Sequence, residues 1–184
     1  MDIDQKTNNF NIGSLTFSTE KGKERFIKKY TEVISRYDYT VSDIGKEISL
    51  LTERFKKEAS FSDAIWSLFN KKTLDTGKTV PIDLQLLSYV YFDMSMFLAE
   101  SGEDPNPALE EAHRFKLLYL KQHFLKVRIS CQSLGCKNCQ ELSEKIFTID
   151  EALKDKPLPN KSCTSIKFKT GRYPWCTCYY VAVV

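Results

Sequence analysis

The chain is short of the residues and motifs that mark the common catalytic and membrane-protein classes. Its 184 residues include only seven glycines and two histidines, and they contain no glycine-rich phosphate loop, no G-x-S-x-G and no H-E-x-x-H sequence. No uninterrupted apolar run approaches the roughly 18 residues of a membrane helix. The most apolar segment, Leu84 to Ala99, is broken by Asp93. These absences favour a non-enzymatic protein without a membrane span.

An export signal is also lacking, because the first residues show no basic segment followed by an apolar run. We therefore expect a cytoplasmic protein whose thiols stay reduced, which disfavours a framework of disulfide bonds. Apolar residues make up 42% and charged residues 28% of the chain. Both values are ordinary for a globular protein with a buried core.

Neither sign of charge dominates the chain, but the charges are divided unevenly. Residues 1–123 carry 17 lysines and arginines against 19 aspartates and glutamates, whereas residues 124–184 carry 10 against 5. The C-terminal excess is compatible with nucleic-acid binding, yet it falls short of the strong basic stripe that indicates it. A solvated surface that offsets thiolate charge is the simpler interpretation.

Helical periodicity dominates the first two thirds of the sequence. Apolar residues recur at steps of three and four, which is typical of amphipathic helices that bury one face. Asn106 is predicted to be an N-cap, with Pro107 at the first helical position. The predicted helices are five: Lys21 to about Arg36, a segment that starts near Ser42 and reaches Phe55, a segment opened by Ser60 or Ser62, Leu84 to Ala99, and Pro107 to about Gln122.

The period changes after residue 123. Residues 124–130 alternate between apolar and polar side chains, Lys145 to Ile149 is a second short extended segment, and the tail from Cys178 is rich in β-formers. The sequence therefore predicts an α+β fold. A bundle of about five helices (domain 1–123) precedes a small, zinc-stabilised β-rich module (domain 124–184).

All six cysteines lie in this last third, at positions 131, 136, 139, 163, 176 and 178. Cys136 and Cys139 form a C-x2-C pair, which supplies two thiolates from one tight turn, and Gly135 eases the bend before it. A module this small needs an additional stabilising element, and clustered reduced thiols predict one structural zinc ion.

The expected zinc ligands are Cys136, Cys139, Cys163 and Cys176. Cys178 is the alternative fourth ligand, because alternate residues of an extended segment point to opposite faces and only one of the two then faces the pair. Cys176 is favoured by the turn expected at Pro174-Trp175, and Cys131 is expected to lie outside the set. His123 is a distant alternative ligand, and His113 is expected on the surface or partly packed. Four thiolates leave no open coordination position, so the predicted site is structural.

The run CKNC, KIFTIDEAL, PLPNKSC and WCTC (residues 136–178) resembles the C-terminal module of phage head-morphogenesis (minor head) proteins. Similar cysteine-rich tails also occur on bacterial proteins with helical N-terminal parts. The resemblance implies a C-x2-C pair, a short hairpin, a proline-containing loop and closing cysteines around one zinc ion, in a zinc-ribbon-like β unit.

Three functions remain open at this point. The first is a non-enzymatic zinc-binding interaction or adaptor protein with an unidentified protein partner. The second is a nucleic-acid-binding protein that uses the aromatic and basic residues near the C-terminus. The third is an enzyme with a site among the helices or a reactive cysteine. The residues of the second hypothesis are Tyr173, Trp175, Tyr179 and Tyr180 with Lys167, Lys169 and Arg172.

Overall fold

The computed structural model describes residues 19–131, 137–163 and 176–184. Its elements confirm the predicted α+β fold, with a helical N-terminal part and a small antiparallel sheet near the C-terminus. The helices are α1 (Glu20–Ser35), α2 (Val41–Phe55), α3 (Phe61–Gly77), α4 (Leu84–Glu100), α5 (Asn106–Lys121), α6 (Lys137–Ser143) and α7 (Ile149–Asp155). The strands are β1 (Lys126–Ser130), β2 (Ile146–Thr148) and β3 (Tyr179–Val183).

The chain divides into two compact units after Lys78. The first unit contains α1, α2 and α3, and the second contains all later elements. The domain boundary predicted between residues 123 and 124 stays a prediction. The change from helix to strand does fall there, between Lys121 and Lys126.

In the first unit, local capping signals fix where the helices begin. The hydroxyl of Ser60 accepts a hydrogen bond from the backbone N–H of Asp63, whose carboxylate accepts one from the N–H of Ser60. Thr40 and Asp43 form the same capping box at α2. The apolar faces then meet in an aromatic core, in which the rings of Phe26 and Phe61 are 6.4 Å apart.

In the second unit, α5 supports the sheet. It packs against α4, where Ser88 Oγ donates to the carbonyl of Ala112 at 3.0 Å, and it also contacts α7 and β3. Asn106 is not the N-cap that the sequence predicts. Pro105 holds that position, because Asp104 accepts hydrogen bonds from both the backbone and the side-chain N–H groups of Asn106, so the helix starts one residue earlier.

The sheet has the order β2-β1-β3, and both pairs are antiparallel. Val127 and Ile129 of β1 are fully buried, as is Tyr180 of β3, which pairs with Ile129. Ser130 pairs with Tyr179 at the end of the ladder. The inner face of the sheet therefore joins a core with α5, α7 and the loop after α7.

Candidate metal centre

The five cysteines of the described residues lie directly after β1, in α6, in the loop after α7 and in the segment before β3. Cys131 directly follows β1, and Cys178 directly precedes β3. Because Ser130 pairs with Tyr179 in antiparallel register, the next position along the ladder sets Cys131 opposite Cys178. Residues directly opposite one another in a sheet point to the same face, here the buried one. The sheet register thus brings together two thiols that are 47 residues apart.

Cys139 lies in α6, a helix that the sequence analysis did not predict. This short helix packs against β1 and buries Cys139 completely. The other member of the C-x2-C pair, Cys136, lies outside the described residues, as do Gly135 and the turn predicted at Pro174-Trp175.

Cys163 is held by the loop that follows α7. The backbone N–H of Cys163 donates to the carbonyl of Asn160 at 2.9 Å, and the buried Leu158 anchors the loop in the core. The side chain of Asn138 in α6 donates to the carbonyl of Ser162 at 3.0 Å. The loop and α6 are therefore tied together on either side of the cluster.

The five described thiols form two groups of three. The sulfurs of Cys131, Cys139 and Cys178 all lie within 4.8 Å of one another, and so do those of Cys139, Cys163 and Cys176. Tetrahedral zinc with Zn–S bonds of about 2.3 Å has sulfur–sulfur edges of about 3.8 Å. The cysteine groups could therefore hold a metal ion with only small side-chain adjustments.

The five described thiols lie in a largely buried environment. Four of the thiols are buried and Cys131 is half-buried. The amide of Asn160 donates to the sulfur of Cys139 at 3.3 Å, and the sulfur of Cys131 contacts the carbonyl of Cys139 at 3.1 Å and the sulfur of Cys178 at 2.7 Å. A ligand bound by these sulfurs would be shielded from water.

The pKa values of Cys176 and Cys178 depend on each other. The hydrogen bond from the thiol of Cys178 lowers the pKa of Cys176, even though burial opposes this change. The same hydrogen bond, together with burial, raises the pKa of Cys178. Of the two thiols, Cys176 is therefore the one that deprotonates more readily. Metal ligation needs the thiolate form.

Three of the predicted ligands, Cys139, Cys163 and Cys176, are brought together. The sulfurs of Cys176 and Cys178 each join one group of the cluster, and the choice between them as the fourth ligand stays a prediction. Cys131 was expected outside the set, yet its sulfur belongs to the first group. The strand register was the signal that could have indicated this. Cys131 directly follows β1, so the pairing of β1 with β3 places it opposite Cys178. His123, the distant alternative, is exposed at the end of α5.

A second polar feature lies beside the cluster. His113 was expected on the surface or partly packed, but it is only 7% exposed, and its ring meets the edge of Tyr180 at 5.6 Å. Both residues line a cavity of about 20 Å³ with Arg114 and Lys156, which is room for about one water molecule. Burial lowers the pKa of His113 to about 4, so the ring is neutral at pH 7.

Comparison with known proteins gave no match to a family model, a curated protein or a solved structure. Within the described ranges, none of the helices has the length and apolar character needed to cross a membrane. The chain is thus characterised by its α+β fold and by a thiol cluster that could hold a metal ion.

Proposed function

We propose that the thiol cluster is a structural zinc site and that the protein is a non-enzymatic zinc-binding interaction or adaptor protein. The observation that carries the proposal is the buried trio of Cys139, Cys163 and Cys176, whose sulfurs lie within 4.8 Å of one another. Zinc readily takes an all-thiolate tetrahedron and has no redox chemistry of its own, which suits a stabilising site. The resemblance to the module of phage minor head proteins supports the same type of site.

A fourth ligand is available beside the trio. The sulfur of Cys178 lies within 4.8 Å of the sulfur of Cys139, which belongs to the trio. A set of four thiolates leaves no coordination position for a substrate or a reactive water. This feature favours a stabilising role over a catalytic one.

The sheet itself explains why such a site is needed. Its three strands have five, three and five residues, and a sheet this small buries little apolar surface without help. A metal bound by α6, the loop at Cys163 and the segment before β3 would fix three separate parts of the chain to one point. Function would then reside on the surface of the protein.

Metal analysis of the purified full chain tests this proposal. We expect zinc in the parent protein and a loss of at least one ion per chain in Cys163→Ser. The matched control is Ser162→Ala, which changes the exposed neighbouring residue and should keep the full zinc content. Chelation should lower the midpoint of thermal unfolding, and added zinc should restore it. A parent protein that is stably folded and free of zinc would refute the proposal.

A specific observation favours nucleic-acid binding as the second candidate function. Register sets Lys126, Arg128 and Tyr179 on the outer face of the sheet, where all three are exposed. An exposed aromatic ring beside two cations is the combination that stacks a base and contacts phosphate. Tyr180, which the sequence analysis grouped with Tyr179, is buried on the other face. The remaining residues of that hypothesis lie outside the described part of the chain.

Salt-dependent binding distinguishes this candidate. Titration of the zinc-loaded protein with a fluorescent single-stranded oligonucleotide should give an affinity that falls as salt rises. The variant Arg128→Gln should weaken binding and reduce the slope with salt by about one counterion. Lys57→Gln serves as a control, because it removes an exposed cation from the first unit. The absence of salt-dependent binding would exclude the candidate.

A further inference from the structure

The thiol cluster contains more ligands than one zinc ion uses. Its two trios, Cys131–Cys139–Cys178 and Cys139–Cys163–Cys176, share the sulfur of Cys139. Cys176 and Cys178, which belong to different trios, are only two residues apart in the sequence. One tetrahedral ion takes four thiolates, so it leaves one of these five sulfurs, and two of the six in the sequence, without a bond to metal.

We propose that the cluster holds two zinc ions, one in each trio, and that the thiolate of Cys139 bridges them. This inference rests on the structural zinc site proposed above and adds a second metal position to it. Three sulfurs within 4.8 Å of one another can cap one face of a coordination tetrahedron, and each trio supplies such a face. The shared corner is Cys139, which is fully buried in α6.

The number of thiols agrees with this arrangement. Two tetrahedral ions need eight metal–sulfur bonds, and six thiolates provide eight when two of them bridge. The chain has six cysteines, all within the last third. Cys139 is one bridge, and the other would come from one of the remaining five cysteines.

Charge is compatible with this arrangement. Two Zn²⁺ ions with six thiolates leave the same net charge as one ion with four, so the second ion adds no uncompensated charge to a buried site. The sulfur of the half-buried Cys131 belongs to the first trio, so Cys131 becomes a ligand of the second ion. The sulfurs of Cys131 and Cys178, which are 2.7 Å apart, would move apart to the edge length of a zinc tetrahedron.

The zinc content of the full chain, purified with a non-thiol reductant and equilibrated with buffered zinc, tests the inference. We expect two zinc ions per chain in the parent protein and one in Cys131→Ser. The matched control is Ser130→Ala, which alters the adjacent residue on the outer face of the sheet and should keep two ions.

The possible results separate this inference from the simpler zinc site. A parent with one ion that Cys131→Ser retains would overturn the second position and leave the structural site intact. A parent without zinc would overturn both, and two ions retained by Cys131→Ser would overturn the role of Cys131. Should this variant fail to fold, ¹¹³Cd NMR of the cadmium-loaded parent decides. Two mutually coupled signals support a bridged pair, and a single signal overturns it.

Discussion

Acid should destabilise this protein through one buried histidine. His113 is 7% exposed, its Nε2 atom has no hydrogen-bond partner among the described residues, and burial lowers its pKa from 6.5 to about 4. The unfolded chain therefore binds a proton between these two pH values that the folded chain does not bind. Because the unfolded state holds more protons between these two pH values, the free energy of unfolding keeps its full value above pH 6.5. It falls as the pH is lowered towards 4.

The size of this effect follows from the two pKa values. The interval from 6.5 to about 4 corresponds to about 3 kcal/mol when it is crossed completely. A change from pH 7 to pH 5 crosses most of it and should lower the free energy of unfolding by about 2 kcal/mol. Replacing His113 by a side chain that does not titrate should remove this part of the pH dependence, whatever its effect on stability at pH 7.

Urea unfolding at pH 7 and pH 5, followed by far-ultraviolet circular dichroism, measures the effect. We expect the difference in unfolding free energy between the two pH values to be about 2 kcal/mol smaller in His113→Phe than in the parent. His123→Gln, which replaces the exposed histidine, is the matched control and should keep the acid sensitivity of the parent. Because acid also releases metal from thiolates, the comparison holds where both proteins contain the same amount of metal. Equal pH dependence in parent and His113→Phe would refute the reasoning.

Two further predictions concern the stability of α7 and of α2. Thr148→Ala should lower the unfolding free energy by about 1 kcal/mol, because it removes the exposed N-cap of α7 without changing the core. Thr148→Ser keeps a capping hydroxyl and should retain most of the unfolding free energy of the parent. An unchanged urea midpoint for the alanine variant would contradict the capping role. Gly45→Ala should raise the unfolding free energy by about 0.5–1 kcal/mol, because a Cβ there meets nothing within 4 Å in the interior of α2. Gly102→Ala, at φ +81°, should do the opposite, and stabilisation at both glycines would argue against this account.

The helices were predictable because their signals are local. Apolar residues at steps of three and four gave Lys21 to Arg36, and the structure has Glu20–Ser35. Ser60 was one of two candidates for the start of α3, and its capping box with Asp63 is a pattern readable from the sequence. The sequence predicted that α5 starts one residue later than it does. That prediction rested on the Asn106-Pro107 pair, and it did not take account of Asp104, which accepts the hydrogen bond from the backbone N–H of Asn106.

The burial of His113 and the position of Cys139 were harder to predict. His113 lies between charged neighbours in the sequence, so its pattern indicates a surface position. It is buried because β3 brings Tyr180 against it from 67 residues further along the chain. Cys139 was expected in a tight turn, yet it lies in the seven-residue α6, which is too short to show a clear helical period.

The pairing of β1 with β3 determines which thiols meet in the cluster, so the site depends on the fold of the sheet. Cys131 meets Cys178 only when β1 and β3 are paired with Ser130 opposite Tyr179, and a shift of one residue would turn one of the two thiols to the outer face. A chain without this pairing must close a loop of 47 residues before these thiols can share an ion, and the entropy of that closure opposes binding. Metal binding and sheet formation therefore favour each other. An ion held by both thiols would favour the observed register of the sheet, and this register in turn brings together thiols from separate segments of the chain.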